Sequence, residues 1–133
     1  LERKPEYQAG CPSFTRQAGV DIFRAMSDTV LLVLSTCPDD GSAERLAESL
    51  VTLGLAACVN IGAPVTSIYP WQGKIEHSLE RPLFIKTTTA AYADLERELR
   101  AQHPYDLPEI IALPVTHGLP GYLEWVQQCT QDA

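Results

Sequence analysis

Two strand-like stretches on either side of Gln72-Gly73 constrain this chain more than any other feature. Residues 56–71 and 74–88 are rich in β-branched and aromatic side chains, which suit a pleated, half-buried surface. Gln72-Gly73 is a two-residue link with the glycine that a hairpin turn needs. The pair therefore predicts one long antiparallel ribbon. Gly62, Pro64 and Pro82 interrupt it and predict bulges, because proline removes a ladder donor and glycine weakens a strand.

The flanks set the rest of the plan. Residues 30–36 are a continuous apolar run closed by Pro38-Asp39-Asp40-Gly41, the pattern of a central strand buried on both faces. Leu46, Leu50 and Leu53 follow at helical spacing, with Asp39 or Asp40 as the cap and Gly54 as the stop. After the ribbon, residues 90–103 return to helical period through Tyr92, Leu95 and Leu99, with Glu96 and Arg100 as an i, i+4 pair. Residues 109–115 read as a fourth strand. Pro120 then opens a short helix with Leu119, Leu123 and Val126 on one face. The order strand, helix, strand, strand, helix, strand is the α+β, ferredoxin-like plan of an antiparallel sheet with two helices on one face. Pro64, Pro70 and Pro114 fall on its edge strands, where a missing donor is tolerated. The hairpin outruns its helices and carries Ile68, Tyr69, Trp71 and Ile75 near its tip. Exposed aromatic edges pair with other chains, so a closed homo-oligomer is expected.

Charge narrows the functions. The 133 residues hold ten Lys and Arg against seventeen Asp and Glu, a formal charge of −7. Residues 1–28 carry four of each sign, so the whole excess lies in residues 29–133. Such a chain lacks the cationic stripe of a nucleic-acid binder and would not dock on an anionic membrane. No apolar run approaches the ~20 residues of a membrane helix, and no signal peptide is visible. Residues 1–28, with Pro5, Gly10, Pro12 and Gly19, read as a mobile extension preceding one domain over 29–133. Cys11, Cys37, Cys58 and Cys129 form no CxxC pair, so reduced thiols in a cytoplasmic protein are expected. Phosphate-loop, dinucleotide, nucleophile-elbow and zincin motifs are absent.

With these elements placed, the chain resembles the CutA divalent-cation tolerance family. The stretches that carry the resemblance are Leu55-Ala56-Ala57-Cys58-Val59-Asn60-Ile61, Ser67-Ile68-Tyr69-Pro70-Trp71-Gln72-Gly73-Lys74-Ile75-Glu76 and Ile85-Lys86-Thr87-Thr88. His103-Pro104-Tyr105, Pro108-Glu109-Ile110-Ile111-Ala112-Leu113-Pro114-Val115, Gly118 and Tyr122-Leu123-Glu124-Trp125 complete it. It spans about residues 29–129. The resemblance implies a trimer of ferredoxin-like subunits, a link to divalent-metal tolerance with copper binding in some members, and no enzyme reaction. It also implies an architectural relation to PII-type signalling proteins, which hold small ligands between subunits. Some relatives have a metal-ligating cysteine at the end of the first strand, where this chain has Ser35, with Cys37 two residues on. They also have two histidines before Pro-Tyr, where this chain has Gln102 and His103. Cys58 matches the family's other cysteine. The metal candidates are thus Cys58, His103 and Cys37, donors that suit copper or zinc, and no cofactor is required.

A second group follows from the residues themselves. Lys86 lies in an otherwise apolar and hydroxylic strand, where a buried amine needs a partner, and Glu109 is the expected one. Tyr69, Trp71, Tyr105 and His117 are polar-tipped aromatics near strand ends, suited to lining an intersubunit cleft. Glu76, Glu80, Asp39, Asp40 and Asp106 read as solvated surface charge. No catalytic nucleophile, base and orienting group assemble in the pattern. The expectation is a trimeric divalent-cation tolerance protein. The alternative is a PII-like small-ligand module using the Lys86 and Glu109 cleft.

Overall fold

The computed structural model describes residues 28–130. The expected extension, apart from Asp28, lies outside the described residues. The elements are β1 (Val30–Pro38), α1 (Ser42–Thr52), β2 (Cys58–Ile61), β3 (Val65–Trp71), β4 (Lys74–Thr88), α2 (Thr89–Gln102), β5 (Ile111–Pro114) and α3 (Pro120–Cys129). The sheet order is β2-β4-β1-β5, with β3 also on β4, and all pairs are antiparallel. This is the expected split βαβ plan, with β1 and β4 central.

Local chemistry ends and starts the helices. Asp40 Oδ1 accepts the Ser42 amide at 2.9 Å ahead of α1, and hydrogen bonding from Ser42, its side chain first and then its amide, holds the Asp40 carboxyl below its usual ionisation range. Gly54, at φ 72°, supplies the left-handed stop after α1. Thr88 Oγ1 accepts the Ala91 amide at 3.3 Å, and Asp28 Oδ1 accepts the Ala90 amide at 3.2 Å, so α2 starts doubly capped.

The ribbon differs from its expected form. Residues 56–71 are two strands, because the ladder to β4 breaks between Ile61, opposite Leu83, and Val65, opposite Glu80. Three residues on one side face two on the other, the extra residue of a bulge. Pro82 keeps its place in the β1 ladder opposite Thr36, and its carbonyl accepts the Gly62 amide at 2.9 Å. Gly62 is required here: a Cβ would sit 2.6 Å from Pro82 Cγ. At the far end Gln72 (φ 50°) and Gly73 (φ 79°) turn the chain between paired Trp71 and Lys74, the two positive φ values of a type I′ hairpin turn.

One sheet face is sealed. Val33, Leu83 and Ile85 pack against Leu50 of α1 and Leu95 and Leu99 of α2, all fully buried. A smaller cluster of Val30, Ala57, Val126 and Cys129 seats α3. The opposite face stays open. Register places Leu32 and Leu34 in line with Lys86 and Phe84 on one side and Leu113 and Ile111 on the other. Phe84, Ile111 and Leu113 are 39%, 52% and 46% exposed.

Four smaller expectations change. The fourth strand shortens to β5. The α2 ion pair is Arg97 to Asp94 at 2.7 Å, an i, i+3 pair in which the long Arg reaches back one turn, not Glu96 to Arg100. Leu119 precedes α3 and is exposed rather than packed. Cys37 and Cys58 are free thiols as expected, but Cys129 is disulfide-bonded.

Candidate functional site

The metal candidates do not assemble in one chain. Cys37 and His103 meet where β1 ends and α2 stops: His103 Nε2 lies 3.7 Å from Cys37 Sγ. Cys58 sits opposite Lys86 on β2, whereas Cys37 sits opposite Arg81. Alternation therefore puts the two thiols on opposite sheet faces. The Cys37 and His103 pair is also closed to a metal as it stands. Nδ1 accepts the Tyr105 amide at 3.0 Å, and Nε2 lies 2.8 Å from the Thr36 carbonyl. These partners assign the proton to Nε2, a neutral ring with both nitrogens engaged. Burial pushes the Cys37 thiol up to about 11, whereas a metal takes the thiolate. Among the described residues, no three His, Cys, Asp or Glu side chains gather closely enough to hold a metal ion. The donor set therefore does not fit a resident metal within one subunit.

The cleft candidates are spread over the hairpin, the central β4 and the loops that flank β5. Tyr69 and Trp71 are exposed on β3. Lys86 is half-buried on the open face and donates to Asn60 Oδ1. Glu109, exposed ahead of β5, is not its partner; the ion pairs among the described residues are Arg81 with Asp39 and Arg97 with Asp94. The expected bond fails because Lys86 faces β2, where an amide oxygen already serves it. His117 is exposed, with Nδ1 3.1 Å from Thr116 Oγ1. Within one chain, then, the six side chains do not close a pocket.

Tyr105 is the exception, and it brings in a residue that the pattern alone misplaced. Its hydroxyl donates to Glu80 Oε2 at 2.8 Å. Glu80 is buried, only 7% exposed, not the solvated charge expected. It reads as surface because it lies in a polar stretch of the hairpin, His77-Ser78-Leu79-Glu80-Arg81. Tyr105, returning on the 103–108 loop, reaches it across 25 positions, a contact with no local signal. Desolvation first, then the Glu80 carboxylate, pushes the Tyr105 phenol up, so that it ionises only at higher pH than usual. The Tyr105 ring rests on His103, centroids 4.9 Å apart.

Comparison with known proteins decides the family. The CutA1 divalent ion tolerance protein model matches residues 31–129. The chain belongs to the CutA1 divalent ion tolerance family. The divalent-cation tolerance protein CutA of Thermus thermophilus is 46% identical over 99 residues, 74% of this chain and 96% of that protein. The crystal structure of CutA1 from Oryza sativa superposes with a TM-score of 0.77 at 39% identity, over 79% of this chain and 96% of the other. CutA from Xylella fastidiosa gives 0.76 at 46% identity, over 77% and 99%. These CutA1 structures share the ferredoxin-like fold described above. The CutA match covers β1 to α3, so the sealed face, the open face and the Tyr105 corner all lie inside it.

Proposed function

We propose that this chain acts in divalent-cation tolerance as a homotrimer whose open sheet faces and hairpins complete one another. The observation that carries this reading is the open face of Leu32, Leu34, Phe84, Ile111 and Leu113. An apolar stripe of that kind is covered in a stable protein, and β1 is apolar on both sides although one chain covers only one. Exposed Ile68, Tyr69, Trp71 and Ile75 on the hairpin add an unpaired edge beside it. Closure of such edges by symmetric copies removes the liability.

Cation association then rests on the assembly. Three copies carry three times −7, a formal −21, which concentrates divalent cations near the surface without a defined ligand set. Copper ligation draws on Cys58 at the open face, since His103 is closed as built. The clefts between copies, with Tyr69, Trp71, Lys86, Tyr105, Glu109 and His117 at their rims, are the place for a small ligand.

Light scattering at micromolar concentration tests the trimer; a monomer overturns it. Calorimetric titration with copper(II) and zinc(II) tests the metals in wild type, Cys58→Ala and His103→Ala. Loss of a defined copper site in Cys58→Ala, with His103→Ala unchanged, is the expected result. Equal affinity in all three leaves only the diffuse charge effect.

A further inference from the structure

We propose that the Tyr105 corner is an acceptor subsite for a small organic cation bearing N–H donors, a guanidinium or alkylammonium group. Glu80 and His103 are the positioning residues that hold it in that state. The inference rests on the cleft reading for its place and adds the class of ligand.

Three contacts fix Tyr105. Its amide donates to His103 Nδ1 at 3.0 Å, its ring lies against the His103 ring, and its hydroxyl donates to Glu80 Oε2 at 2.8 Å. His103 is itself fixed by the Thr36 carbonyl at 2.8 Å. The side chain is nonetheless 37% exposed. Its only phenol proton is directed inward, so what it offers outward is oxygen lone pairs and a π face. Both attract N–H donors and cations.

The charge behind the phenol has the same sign preference. Glu80 is buried, and none of the Arg or Lys side chains among the described residues forms an ion pair with it. Its neighbour Arg81 is turned to Asp39 Oδ1 at 2.9 Å and to the Gly62 carbonyl at 3.2 Å. A carboxylate held only by a phenol keeps its field, and that field reaches further in a partly dry corner than in water. Polarisation along the bond makes the phenol a better acceptor. Tyr69 stands near enough to act electrostatically on Tyr105. By alternation from the Val65 and Glu80 pair it shares the face of Glu80, and so adds a second ring. Cations are drawn to such a corner, and phosphate is repelled.

The test is an NMR titration of the full chain with butylguanidinium, with inorganic phosphate at matched ionic strength as the anion arm. Tyr105→Phe assigns the reporting ring signals. Wild type is expected to show saturable shifts with butylguanidinium and none with phosphate. In Glu80→Gln an amide oxygen still accepts the phenol proton but the charge is gone, so affinity falls about tenfold. Tyr105→Phe loses the response. A phosphate response as strong as that to butylguanidinium, equal affinity in Glu80→Gln, or no saturable shift in wild type each overturns the subsite. Particle mass measured on the same samples separates the two readings. A trimer without a cation response ends the subsite alone, and a monomer that still binds ends the cleft.

Discussion

The two faces of the sheet are built from the same strands and end in different states. Under the helices, Val33, Leu83 and Ile85 lose all contact with water. One residue along, Leu32, Leu34 and Phe84 stand half-covered or open beside Ile111 and Leu113. Composition does not separate the faces; both are apolar. What separates them is that the first face meets a complementary surface encoded in the same chain. On the proposed reading, the first face serves folding and the second association.

Substitutions that split these roles break or sharpen the comparison. Ile85→Ala on the sealed face leaves a cavity and should cost about 2–5 kcal/mol, read as a lower urea midpoint with assembly lost as well. Gly62→Ala drives a methyl against Pro82 at the bulge and should cost about 1–3 kcal/mol. If its midpoint does not move, the bulge tolerates a shift that the geometry does not suggest. Phe84→Asp on the open face should change stability of the single chain by less than about 1 kcal/mol. It should still convert the proposed trimer to monomer by light scattering with the circular dichroism of the fold intact; a variant that unfolds would show that the open face also serves folding.

The thiols give the smallest effect. Cys37, buried and protonated, should resist alkylation in the folded protein, while half-buried Cys58 reacts. The folded pKa of Cys37 lies above its ordinary value of 9.0, at about 11. Its contribution to stability is therefore full below pH 9 and is lost as pH rises toward 11. Cys37→Ala should flatten that alkaline slope in a denaturation series; an unchanged slope would assign it to other groups.

What was legible in the sequence follows the same division. Helices and strands announce themselves by period and by stop residues such as Gly54 and Pro104, so element order and sheet plan could be read directly. Residues 30–34 even carried the sign of the open face, since a run apolar on both sides asks for two covers. Side-chain meetings between distant segments left no such trace. Lys86 points toward Glu109 in the sequence because an amine in an otherwise apolar strand asks for a carboxylate, yet its register partner strand offers Asn60. Glu80 looked like surface because its cover, Tyr105, is 25 positions away. Cys58 and Cys37 looked like one ligand set until the alternation of side chains put a sheet between them.

The extra residue at the bulge carries a rule about parity. Before it, even-numbered positions of the outer ribbon strand, Cys58 and Asn60, share a face with Lys86 and Phe84. After it, odd-numbered positions, Val65, Ser67, Tyr69 and Trp71, share that face with Glu80, Ser78, Glu76 and Lys74. Removing one residue from 62–64 would make the count equal on both strands and leave Tyr69 and Trp71 opposite Glu76 and Lys74, on the same face. The extra residue thus costs the arm no change of face: it absorbs the odd count, and what it adds is the local bend and twist that aim the whole arm away from the sheet.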